Sequence, residues 1–90
     1  MKDQRVERLA DILVGYSVQP KKDEKISIRG PYVAEPLMLA IYERCLDRGA
    51  HVMLRPTMPH AEPLFYKHAE EHQLDHVWET DRWMIDNLDA

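Results

Sequence analysis

The sequence predicts an α/β fold, a three-layer-like βαβ unit whose short parallel sheet is flanked by helices. Three observations predict it. Lys25-Ile26-Ser27-Ile28-Arg29 alternates polar and apolar residues, as a strand covered on one side does. Between Pro36 and Arg48, the residues Leu37, Ala40, Ile41 and Cys45 recur at helical spacing and form one apolar face. His51-Val52-Met53-Leu54 is a second short strand. A strand, one helix and a returning strand imply parallel pairing and a right-handed crossover.

The elements follow in chain order. Lys2 to Tyr16 reads as an amphipathic helix with Val6, Leu9, Ala10, Leu13 and Tyr16 on one side. Asp3 suits its cap or first turn, and Gly15 lies near the expected stop. A polar connector from Ser17 to Glu24 feeds the first strand, which Gly30-Pro31 is expected to break. Pro36 suits the first turn of the central helix, where its missing N–H costs nothing. Arg44 and Arg48 complement the dipole at the helix end, and Gly49 can take the left-handed conformation that terminates it. Pro56 is expected to close the second strand, within a rigid loop from Arg55 to Pro59. A third helix is expected from Pro63 to about Gln73, with Leu64, Phe65 and Ala69 apolar. Leu74 to Trp78 reads as irregular chain packed through Leu74 and Val77, and Asp81 as the cap of a last helix holding Trp83, Met84 and Leu88.

An alternating α/β pattern calls for a strand after that helix. Two strands alone make a poor sheet, so residues 1–90 are expected to be an incomplete, truncated domain. The open strand edge is expected to make the isolated chain associate.

The totals set bounds. Ninety residues are one domain at most, with a modest core that buries roughly 60–65% of the unfolded surface. The net charge of −4 gives no reason to expect nucleic acid. One cysteine, Cys45, excludes a disulfide framework and fits a reducing cytoplasm; on the apolar helix face it reads as a small core residue. No apolar run approaches the about 20 residues that span a membrane. The first residues lack the apolar core of a signal peptide.

One stretch looks like chemistry. His68-Ala69-Glu70-Glu71-His72 fits the H-x-x-E-H pattern of inverted zincins. On one helix, two histidines four apart can grip a zinc ion while a glutamate acts as base; His76 extends the series. Against it, so short a pattern arises by chance in a chain rich in His and Glu. A hydrolytic zinc also needs three protein ligands. The bland reading has His68 packed partly against the sheet, with His72 and His76 solvated. Gly30 sits where phosphate loops occur, but neither a dinucleotide fingerprint nor a P-loop is present. Arg29 and Arg55 each lie just past a strand, at the edge where α/β sheets bind ligands. They either line a cleft or pair with surface acids. Trp78 and Trp83 read as core or interface aromatics.

Several phrases together resemble one family. They are Arg8 to Val14 with Tyr16-Ser17-Val18, Ile28-Arg29-Gly30 with Ala34-Glu35-Pro36-Leu37, and Arg48-Gly49-Ala50-His51. Phe65-Tyr66-Lys67-His68-Ala69, Gln73-Leu74-Asp75, Trp83 and Asp89-Ala90 complete the set. In this order, over nearly the whole chain, they resemble the N-terminal domain of AmpS-type leucyl aminopeptidases, the thermophilic metalloprotease family. The resemblance implies a metal-dependent exopeptidase that removes N-terminal residues from peptides, works as a homodimer and carries two divalent metal ions, zinc or cobalt. It places the metal ligands in a C-terminal domain absent from these residues, so no catalytic, cofactor-binding or metal-binding residue is carried over. It also implies that the chain continues past Asp89-Ala90 into a strand.

Three functions follow from these readings. The first is a non-catalytic domain of a metallo-aminopeptidase. The second is a free-standing α/β binding or dimerisation module. The third is a small zinc hydrolase built on His68 and His72.

Overall fold

The computed structural model describes residues 3–90. Asp3 caps the first helix, α1 (Gln4–Ile12), its carboxylate accepting from the Arg5 N–H at 2.8 Å. Lys2, the expected first residue of that helix, lies outside the described residues. Gly15 does not stop it. The helix widens into a π-helical turn over Leu13–Val18 and ends at Gln19, whose φ of 49° is left-handed. Pro20 then prevents continuation. The wider turn buries Val14 beside Ala10, while the expected apolar positions Leu9 and Tyr16 are exposed.

The βαβ unit is present. Strand β1 (Lys25–Pro31) leads through a 3-10 turn at Tyr32–Ala34 into α2 (Glu35–Asp47), and the chain returns as β2 (His51–Thr57). The strands are parallel, with Lys25 opposite His51 and Ile28 opposite Leu54. Gly49 ends the crossover at φ +82°, and a Cβ there would also stand 3.3 Å from Lys22 Cγ.

Both strands outlast their expected ends. The His51 N–H donates to the Glu24 carbonyl at 2.8 Å. Odd-numbered residues of β2 therefore turn their N–H toward β1, and Pro56 faces outward. A proline on the outer edge forfeits no ladder bond, so it does not close the strand. Gly30 pairs with Pro56 inside β1 instead of forming a turn.

The core lies on one face of the sheet. Val14, Ile26, Ile28, Met38, Cys45 and Ala50 form it, with Ala34, Ile41, Tyr42 and Val52 against it. Burial of each large aliphatic side chain here stabilises by about 1.5–3 kcal/mol. On α2 the buried stripe runs through Met38 and Cys45, whereas Leu37 is only half-buried. Arg44 clips α1 to α2. Its Nε donates to Asp11 Oδ1 at 2.6 Å, and its Nη2 to Glu7 Oε2 at 2.5 Å. These bonds, Asp11's first, hold the guanidinium pKa above its usual value.

The two sheet edges differ. The Ser27 N–H donates to the Ala90 carbonyl at 2.8 Å, and the Lys25 carbonyl accepts from the Asp89 N–H at 2.7 Å and the Ala90 N–H at 3.3 Å. This is the bonding of a parallel neighbour opposite Ile26. The Asp89 carboxylate also accepts from the Lys25 N–H at 2.7 Å.

The expected third helix is two. Helix α3 (Ala61–His68) stops at Ala69, whose ψ is 140°, and α4 (Glu71–Leu74) restarts the chain. A reciprocal capping box causes the break. Glu70 caps α4, and the Gln73 side chain accepts from the Glu70 N–H at 2.9 Å. Helix α5 (Glu79–Asn87) is capped at Trp78, so Asp81 lies in its first turn instead of at the cap. Leu64, Phe65, Leu74, Val77, Trp78 and Trp83 are all exposed, so neither Leu74 nor Val77 packs and neither tryptophan is a core residue. The radius of gyration is 15.8 Å, against about 12 Å for a compact chain of this length.

Cys45 is 1% exposed, and burial raises its thiol pKa. The native thiol should therefore label with an aromatic disulfide reagent only as fast as the protein unfolds. Cys45→Ser should cost about 1–3 kcal/mol in urea unfolding, because a hydroxyl enters the core.

Candidate functional site

Chemistry-bearing side chains gather at the face of the sheet opposite the core. Ile26 and Ile28 point into the core, so alternation turns Ser27 and Arg29 to the other face. In the parallel register Met53 and Arg55 share that face, with Arg55 directly opposite Arg29. Both arginines lie inside the strands, near their carboxyl ends, and not just past them. Arg29 is exposed and Arg55 half-buried. Among the described residues no acid pairs with either side chain, so the surface-acid reading of these two positions does not hold.

Arg29 opens into a groove of about 790 Å³ between the sheet and the helices α3, α4 and α5, with Phe65, Tyr66, Leu74, Trp78 and Asp81 along its walls. Phe65 and Tyr66 stand edge to face with ring centroids 5.5 Å apart. His76 meets Trp78 in the same way at 4.9 Å. The groove therefore joins aromatic walls to one guanidinium. A smaller apolar hollow of about 300 Å³, lined by Met38, Leu39 and Leu54, lies on the core side of the sheet.

The His68–His72 stretch does not form the expected grip. His68 ends α3 and His72 belongs to α4, so the two do not share a helical face. His72 Nδ1 lies 3.6 Å from Glu70 Oε2, and both side chains are exposed. His68 is exposed too, and is not packed on the sheet. The capping box that breaks the helix, Glu70 with Gln73, was the signal available in the sequence. Among the described residues no group of three or more His, Cys, Asp or Glu side chains is placed to hold a metal ion.

The family model described as thermophilic metalloprotease (M29) matches residues 2–90. The chain belongs to the thermophilic metalloprotease family. No curated protein matches it. Membership in this metalloprotease family implies metal-dependent peptide hydrolysis, yet the described residues do not furnish a ligand set for the metal. Among the described residues, no helix of this metalloprotease-family chain is long and apolar enough to cross a membrane.

Titration with zinc near neutral pH should show no sub-micromolar site, and His68→Ala should leave the isotherm unchanged. Tight binding abolished by that substitution would restore the zinc reading.

Proposed function

We propose that residues 1–90 are the non-catalytic N-terminal α/β domain of a metal-dependent aminopeptidase. The observation that carries this reading is the family match across residues 2–90. In this reading a further domain, encoded beyond these residues, binds two divalent ions, zinc or cobalt, and hydrolyses the N-terminal residue of peptides. The domain described here supplies scaffold and one wall of the substrate space. The enzyme works in the cytoplasm as a homodimer, with no nucleic-acid or membrane partner.

Two structural features support a domain that packs against more protein. The β1 edge already bonds to Asp89 and Ala90 in the manner of a parallel neighbour. The helices after β2 leave Trp78, Val77 and Ile85 at 65%, 75% and 82% exposure, far more apolar surface than isolated helices tolerate in water.

Two measurements test the reading. The ninety-residue chain should release no p-nitroaniline from aminoacyl p-nitroanilides with added zinc or cobalt, whereas the product of the longer reading frame should. Hydrolysis by the short chain, or a stop codon directly after Ala90, would overturn it. Light scattering should give the longer product twice its single-chain mass; a single-chain mass at all concentrations would remove the homodimer.

A further inference from the structure

We propose that Arg29, which lines the aromatic groove, and Arg55, its register partner on β2, form a carboxylate anchor, and that it takes the C-terminal carboxylate of a short peptide with apolar side chains. The choice of a peptide as ligand rests on the function proposed above. The anchor itself rests on the sheet.

Like charges directly opposite one another on neighbouring strands repel. Arg29 and Arg55 are in register, and neighbouring strands run about 4.8 Å apart. The chain carries 16 acidic residues against 12 Lys and Arg, yet none of the described acids pairs with either guanidinium. Arg44, at the contact of α1 with α2, does pair with Asp11 and Glu7. Two adjacent, uncompensated guanidiniums on rigid strands present forked donors to one planar anion, the geometry that carboxylates fit. They stand near the carboxyl ends of parallel strands, where α/β sheets bind ligands.

The groove next to Arg29 sets the rest of the ligand. Phe65, Tyr66 and Trp78 offer apolar ring surface, and the Asp81 carboxylate, which also lines the groove, is an acceptor for peptide N–H groups. His72 and His76 are the groove's remaining titratable groups. A ligand anionic at one end, apolar along its length and rich in N–H donors is a peptide with a free C-terminus.

The test compares three peptides of one apolar sequence by amide chemical-shift titration of the protein. One is the free acid, one its C-terminal amide, and one an amide carrying an internal glutamate. The free acid should bind about tenfold more tightly than the amide. Arg29→Gln and Arg55→Gln should each erase that difference without changing the affinity for the amide, while Arg29→Lys should keep part of it. The shifted amides should belong to β1, β2 and α3. Equal affinity for acid and amide, or no binding of either, would overturn the anchor. So would a glutamate-bearing amide that matches the free acid, since a side-chain carboxylate would then be the ligand. Hydrolysis plays no part in this titration, so a failed aminopeptidase assay beside a tenfold acid preference would overturn the enzyme reading and leave the anchor standing.

Discussion

Two parallel strands cannot be joined by a tight turn, and the helix that must carry the chain from β1 back to β2 supplies the surface on which the rest is assembled. A crossover fixes α2 against one sheet face. Once there, Met38 and Cys45 meet Ile26, Val14 and Ala50 and exclude water from that face. Helix α1 needs no sheet contact of its own to be placed. It lies along α2, with Ala10 buried and Arg44 tied to Glu7 and Asp11. Most of these ion-pair atoms are partly exposed, so the clip orients α1 more than it stabilises it. The stabilisation comes from the buried aliphatic stripe.

The same pairing decides what each edge and face can do. Parallel bonding directs alternate N–H groups to opposite edges. On β2 this leaves Pro56 on the outside, where it adds nothing for another strand to bond, and such residues protect sheet edges from unwanted pairing. On β1 the outward groups of Lys25 and Ser27 are bonded by Asp89 and Ala90. The β1 edge is thus occupied in parallel fashion, whereas on the β2 edge Val52 and Leu54 turn their backbone groups outward and only Pro56 lacks a donor. The face opposite the core mixes Met53 with Lys25, Ser27, Arg29 and Arg55, and Trp83 and Leu88 border only a small hollow against it, so it holds α3, α4 and α5 less closely than the core face holds α2. Most of their apolar side chains stay exposed, with Met84 half-buried, and the chain is correspondingly extended.

The sequence showed the βαβ unit because period and punctuation agreed there: alternation in 25–29, helical spacing in 36–48, and a glycine at the one place that needs φ of +82°. It hid details that depend on direction and competition. Whether a proline ends a strand depends on which edge its nitrogen faces, and no local pattern at Pro56 states that. Met38 and Leu37 are both apolar neighbours on α2, and only the entry through the 3-10 turn at Tyr32–Ala34 selects Met38 for the core. The H-x-x-E-H pattern was legible as a helix motif, but a second local pattern overlapped it. Glu70 and Gln73 satisfy each other's backbone groups, and this capping breaks the helix in the middle of the motif. The arginine pair was visible only as two separate residues, since register is a long-range property.

A groove with one wall on strands and the other on lightly packed helices has a consequence for binding. Arg29 and Arg55 stand in register on two paired strands, so a ligand gains geometry from them at little further ordering cost. The opposite wall is different. Phe65, Tyr66 and Trp78 are on the surface, and segments with few buried apolar contacts open at low free energy. A ligand anchored by its carboxylate would therefore spend part of its binding energy in drawing these rings onto the sheet, and anything else that covers them would relieve that cost. In the proposed reading, packing of a further domain over α3 and α5 would be coupled to filling of the groove through one set of exposed aromatic side chains, and this domain would thereby act on the affinity of a site shared with its neighbour.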